Sequence, residues 1–318
     1  MAFLFSIAMQ YWSMSDRFPD VLGPSEFSAT YPTIITPAGY AFSIWFLIYV
    51  FALMNSVYQI TDDGGSSEFS VQSAYFPAIT FVLEGIWAFA SGLQYIFISS
   101  ALLFASATLL IVATYRMGRA RRDFAPELYE EFFVFWPIGV HAGWIFSASQ
   151  ISVQILATSW GAGPDMLFVL AFLQAAGIVA TAYFALQWNR DFAFCWVLLW
   201  ALTAILQKDD DRTMILGEAR ANTLEWVLVG TWLAVFSMHT VFLGLECCCT
   251  SECGTDCCGR ECCGAVSFAA RMQGTADHDS TLVKLSPREV VTSPPYHALS
   301  FEASAAPSAP MAVRGTVV

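Results

Sequence analysis

Charge is scarce in this sequence. Only 13% of its 318 residues are Asp, Glu, Lys or Arg, about half the roughly 25% of an ordinary soluble domain. The deficit falls on the basic side, with 14 Lys and Arg against 26 Asp and Glu and a net charge of -12. Little is available to neutralise phosphates, which argues against nucleic acid as a partner. Catalytic signatures are missing as well. There is no P-loop, GxSxG, HExxH or paired-carboxylate motif, so nothing requires an enzyme. Met1–Ser13 lacks the basic n-region and the small-residue cleavage site of an ordinary secretory signal. Tryptophan does not occur after Trp232, and cysteine is nearly absent before Cys247, Cys195 standing alone in a hydrophobic segment.

What fills the space is apolar. Hydrophobic residues make up 57% of the chain, 27 Phe and 11 Trp among them, and the mean hydropathy is +0.57. A water-soluble globule of this size could not hide so many apolar side chains. A helix needs about 20 predominantly apolar residues to cross the hydrocarbon core. Ile34 to Ile60 carries no charge, and from Gln72 to Thr114 the only charge is Glu84. The second stretch is too long for one crossing, and Ser91-Gly92-Leu93-Gln94 is the best turn, giving helices near 74–92 and 96–116. Further spans are predicted at 132–157, 165–187, 191–207 and 224–245. With Met1–Ser13, which is short for a full span, the total is eight, and without it seven. The expected fold is an all-α, polytopic transmembrane bundle over residues 1–245, with a disordered tail over 246–318. Arg116, Arg119, Arg121, Arg122 and Arg190 fall on one side, which makes that side and the tail cytoplasmic, although Lys208, Arg212 and Arg220 weaken the bias. Which membrane holds the bundle is left open.

The tail opens on a crowd of cysteines, Cys247, Cys248, Cys249, Cys253, Cys257, Cys258, Cys262 and Cys263. Cysteines directly where a helix leaves the membrane are frequent acceptors for palmitoylation. Metal binding or redox chemistry is the alternative, but adjacent pairs do not match the usual two-plus-two zinc spacing. Beyond them Gly, Ser, Ala and Pro dominate, a composition that cannot offset its ordering entropy. Ser286-Pro287 and Ser293-Pro294 are candidate phosphorylation sites. Thr316-Val317-Val318 resembles a ligand for a PDZ domain, a three-residue pattern that arises readily by chance.

One helix carries a sharper pattern. Pro37-Ala38-Gly39-Tyr40-Ala41-Phe42-Ser43-Ile44-Trp45-Phe46-Leu47-Ile48-Tyr49 resembles the P-x(7)-W-x(3)-Y signature of the TspO/MBR family, the tryptophan-rich sensory proteins. The longer branch of that family, with "SDRFP…TPAGYxFSIWxLIY", is the nearest likeness, and Ser15-Asp16-Arg17-Phe18-Pro19 precedes Thr36-Pro37 here. Glu84-Gly85-Ile86-Trp87 sits where the family has N-x-x-W, and Pro137, Gly143-Trp144-Ile145 and Ala148 resemble its "P…GWI..A" helix. The resemblance covers about residues 1–207, with a family-like core over 1–157 and extra helices over 165–245. It implies a bundle that binds tetrapyrroles or, in some members, sterols. The chain departs from the pattern at Glu84, at Ser152 and at Gly39, where the family has two asparagines and an aromatic residue.

Ionisable side chains at membrane depth are costly and face the bundle interior. Glu84 lies three residues before Trp87, and His141 three before Trp144. If the two faces meet, an acid, an imidazole and two indoles line one cavity suited to a flat aromatic ligand. The alternative is a hydrogen-bonded structural pair. Trp45 and Tyr49 lie one turn apart and join the candidate ligand-binding set through the family likeness. Gly139, Gly143 and Ser147, continued by Gln150 and Gln154, form a stripe expected to pack helix on helix, on the face opposite His141. Trp136, Trp160, Trp188 and Trp226 stand at helix ends as interface anchors, and His239 has no evident partner. The expectation is a multi-pass receptor or sensor for a flat apolar ligand, with a transporter or a pigment-modifying enzyme as alternatives. No cofactor is required, and a bound porphyrin is the expected guest. Lipids, the small apolar ligand, a PDZ domain and a second copy of the chain are the partners considered.

Overall fold

The computed structural model describes residues 2–13, 21–73, 75–208 and 210–250, with side chains through residue 244. Every element among them is helical. In chain order these are α1 (Ala2–Ser13), α2 (Pro24–Thr30) and α3 (Gly39–Ile60), followed by the short α4 (Asp62–Ser66) and α5 (Glu68–Ser73). Then come α6 (Phe76–Gly92), α7 (Ile96–Asp123), α8 (Leu128–Ser159) and α9 (Pro164–Asn189). The last are α10 (Phe192–Leu206), α11 (Asp210–Leu216) and α12 (Glu218–Thr250). Six helical stretches are long and apolar enough to cross a membrane: α3, the Glu68–Gly92 stretch, α7, α8, α9 and α12 through Gly244. The pair α10 and α11, bent by 66° at its break, makes a seventh if counted as one span.

The remaining expected span, Met1–Ser13, is the short one. Helix α1 has 12 residues, about 18 Å at 1.5 Å per residue against a core of about 30 Å. It packs instead along α6, where Phe3 meets Phe81 edge-on at 6.4 Å. Gly85 permits this approach, since a Cβ there would lie 2.6 Å from the Phe5 ring.

The apolar run beginning at Ile34 supplies a span, but it does not start as helix. Pro37 offers no N–H and biases Thr36 away from helical geometry. The preceding residues form a turn instead, with the Thr33 N–H donating to Thr36 Oγ1 at 2.6 Å. The Ala38 N–H then donates to Ala204 O at 2.9 Å, tying this loop to the end of α10. The expected turn between α6 and α7 is present at Leu93–Tyr95, with Gln94 in the left-handed region at φ 62°.

Helix α8 is the axis of the bundle, in contact with α3, α7, α9 and α10. Residues Glu131–Phe135 widen into a π turn just before Pro137, a usual adjustment where a proline interrupts the ladder. Proline at 137 removes the donor that would serve the Phe133 carbonyl four residues earlier. Asn55 of α3 replaces it, its Nδ2 donating to Phe133 O at 2.6 Å. The glycine stripe lies against α10 as expected: a Cβ on Gly143 would stand 2.9 Å from Phe194 O and from Val197 Cβ. Its amide continuation clasps α9, with Gln154 Nε2 donating to Gln174 Oε1 at 2.8 Å and Gln174 Nε2 to Gln150 O at 2.6 Å. Trp136, Trp160 and Trp226 are exposed, but Trp136, expected at a helix end, lies within α8. Cys195 is buried, its Sγ–H directed at Ala182 O at 3.6 Å.

Helix α10 starts at a carboxylate cap. Asp191 Oδ1 accepts the Phe194 N–H at 2.9 Å, and the side chain lies against Gly139, which has no Cβ to obstruct it. Burial pushes this carboxyl up from 3.8 to about 6, and Glu131 adds to the shift, while the Phe194 N–H and Arg121 oppose it. The folded chain therefore holds a proton that the unfolded chain has already released. That contribution is complete below about pH 4 and disappears as pH rises to about 6, and it amounts to about 3 kcal/mol. We expect the unfolding midpoint in detergent to fall across this window. Asp191→Asn, which keeps a good cap, should flatten that part of the profile; an unchanged slope in the variant would refute the assignment.

Candidate functional site

Glu84 and His141 meet in the middle of the bundle. His141 Nε2 and Glu84 Oε1 are 2.6 Å apart, with the side chains 3% and 0% exposed. The second carboxylate oxygen, Glu84 Oε2, has no hydrogen-bond partner among the described residues. A ladder of rings extends from the imidazole. His141 stacks on Phe81 at 4.6 Å, Phe81 on Tyr49 at 6.2 Å, and Tyr49 on Trp45 at 5.8 Å. The Tyr49 hydroxyl shares a 3.1 Å hydrogen bond with Ser6 Oγ, so it ties α3 to α1.

Two cavities flank this ladder where one was expected. The first, about 180 Å³, is walled by Phe3, Asn55, Ser56, Gln59, Phe81 and His141, among others. The second, about 50 Å³, brings together Trp45, Trp87 and Trp144 with Phe27, Ser99 and Ser152. The division follows from helix geometry. Three residues separate Glu84 from Trp87 and His141 from Trp144, a rise of about 4.5 Å on each helix. Helix α6 runs towards its Gly92 end and α8 towards its Ser159 end, so both indoles sit one level beyond the acid–imidazole pair on the same side. The imidazole thus lines one chamber and the indoles another. Tyr49 lines neither.

The indole chamber has the mixed character of a ligand site, apolar with a few placed polar groups. Trp45 Nε1–H is a buried donor with no partner among the described residues. Ser152, standing where the family has an asparagine, donates to Ser100 Oγ at 2.8 Å. Phe42 meets Trp144 edge-on at 5.8 Å and steadies its plane. Helix α2 covers the chamber with Pro24, Phe27 and Ser28.

Sequence reasoning missed α2 and Phe81. For α2 a signal existed: Pro24 at the first helical position and Glu26 two residues on are start-of-helix features, and the Gly23 N–H does donate to Glu26 Oε2 at 2.9 Å. Phe81 had none, because it is one of 27 phenylalanines and only the folded bundle sets it on His141. The candidate lipidation sites Cys253, Cys257, Cys258, Cys262 and Cys263 lie outside the described residues, as do the tail phosphorylation and PDZ motifs. For Cys247, Cys248 and Cys249 only the backbone, within α12, is described. Among the described residues no cluster of three or more His, Cys, Asp or Glu is placed to hold a metal ion.

Comparison with known proteins gives one positive result. Searches of curated proteins and of solved structures returned no match. Residues 1–242, which take in every helix through the last span, match the family described as TSPO-like protein. With its multi-pass apolar helices and its P-x(7)-W-x(3)-Y helix in place, the chain belongs to the TSPO-like family of membrane proteins.

Proposed function

We propose that this TSPO-like protein is a membrane receptor that takes a flat apolar ligand of the tetrapyrrole or sterol-like kind between Trp45, Trp87 and Trp144. The observation that carries the reading is the meeting of three indoles from α3, α6 and α8 on one cavity, beside the unpartnered Trp45 N–H. Indole faces suit a flat aromatic guest, and a buried donor without a partner gains by donating to an acceptor on that guest. At about 50 Å³ the chamber is far below the roughly 300–1,000 Å³ of occupied ligand sites. Entry therefore requires displacement of its covering residues, and α2 is the least embedded of them, seven residues long.

The test is tryptophan fluorescence of the purified chain titrated with a soluble porphyrin. Quenching should saturate, and Trp87→Ala with Trp144→Ala should weaken binding at least tenfold. Equal affinity in that double variant would end the reading.

A second reading, small-molecule transport, is favoured by the larger chamber. Asn55, Ser56 and Gln59 give it a polar wall that leads to His141 and its partner Glu84. Transport predicts substrate accumulation in proteoliposomes that Glu84→Gln abolishes while porphyrin affinity is retained.

A further inference from the structure

A third cavity lies outside both chambers, where α3, α8, α10 and α12 come together. It measures about 450 Å³, within the range of small-molecule sites. Aromatic rings crowd one end of it, Trp136 from α8 and Phe192 and Trp196 from α10, while Leu47, Phe51 and Val140 line the rest. Trp136 and Trp196 are 46% and 47% exposed, so this wall faces the surrounding lipid.

One polar side chain enters the lining, His239 of α12. The Phe192 ring meets its imidazole edge-on at 5.5 Å. His239 Nδ1 is buried and has no hydrogen-bond partner among the described residues. A buried nitrogen of this kind is costly to the fold unless something bonds it.

We propose that this cavity binds a prenyl- or alkyl-substituted quinone or quinol from the bilayer, with its flat uncharged ring among Trp136, Phe192 and Trp196 and one oxygen bonded to His239 Nδ1. Among the described residues the lining carries no Asp, Glu, Lys or Arg, so a charged headgroup would find no partner among them. A ring oxygen answers His239 in either state, since a neutral imidazole nitrogen donates to a carbonyl or accepts from a hydroxyl according to its tautomer. The tail lies along the aliphatic wall or leaves past Trp196 into lipid. Nothing in this assignment depends on the indole chamber.

The test uses the full chain in nanodiscs, a photoreactive azidoquinone as probe, and mass spectrometry of the labelled peptides. Label should concentrate in residues 192–196 and 239–243 and should be displaced by decylubiquinone but not by excess porphyrin. His239→Leu should lower labelling at least fivefold, and His239→Asn, which restores a nitrogen donor, should recover most of it. Should the leucine variant fold poorly, the asparagine variant and the displacement series decide. Label scattered over the lipid-facing side of α12, labelling indifferent to His239→Leu in a folded chain, or displacement by phosphatidylcholine as effective as by quinone would each overturn the site in favour of a bulk-lipid groove.

Discussion

Replacing His141 alone by leucine is expected to cost the folded bundle about 3–5 kcal/mol, because it breaks a buried acid–imidazole pair by removing one partner. Glu84 is fully buried, and among the described residues its hydrogen-bond partner is His141, at 2.6 Å. Removing both groups together, as Glu84→Met with His141→Leu, should come much closer to the parent stability, since a buried pair exchanged for well-packed apolar side chains is often neutral or better. Thermal unfolding in detergent, followed by near-ultraviolet circular dichroism, reads both. Equal stability in parent and single variant would mean that the pair contributes nothing. The double variant also separates the two functional readings: porphyrin binding should survive, because the three indoles line the other chamber, whereas accumulation in proteoliposomes should not.

Arg212→Met should be nearly as damaging, about 3–5 kcal/mol, through loss of several charge-assisted hydrogen bonds and exposure of their acceptors to an apolar setting. Arg212 is only 1% exposed. Its Nη2 donates to Ile205 O at 2.8 Å and its Nε to Ile34 O at 3.3 Å, with a longer contact to Lys208 O at 3.5 Å. Two of these carbonyls close the C-terminal end of α10, where the helix dipole favours a cation. The third belongs to the loop that leads into α3. One side chain thus fastens the bend between α10 and α11 to the far end of the chain. Hydrogen exchange localises the effect: the Ala38 amide, bonded to Ala204 O at 2.9 Å, should exchange faster in the variant. Arg212→Lys restores the charge but not the fork, and should recover part of the loss. An unchanged midpoint with an unchanged Ala38 amide would dismiss this role.

The difference between these two residues shows where sequence reasoning stops. Glu84 and His141 could be singled out because a charge inside an apolar run is conspicuous. Their meeting, across 57 positions, was a conditional expectation that the fold met. Arg212 gave no such signal, since it lies in a short polar stretch between spans and counted only as a weak orientation marker. Its burial depends on α11 turning back by 66° onto a loop 178 positions away. Asn55 is similar. The proline that frees the Phe133 carbonyl is plain in the sequence, but which side chain answers it, 78 positions away, is decided by how α3 lies on α8.

Composition and local pattern alone indicated that lipid is the solvent, where the long apolar helices lie to within several residues, that a stripe of α8 packs on its neighbours, and which family the chain resembles. These depend on about 20 consecutive residues at a time, and such information is written along the chain. Tertiary structure alone decided that the acid–imidazole pair and the indoles occupy separate chambers, that α1 packs along α6, that α2 covers the indoles, and that His239 faces a cavity. Those outcomes depend on the rotation and axial level of helices far apart in sequence. A shift of three residues moves a side chain about 4.5 Å along its helix, enough to send it into a different chamber.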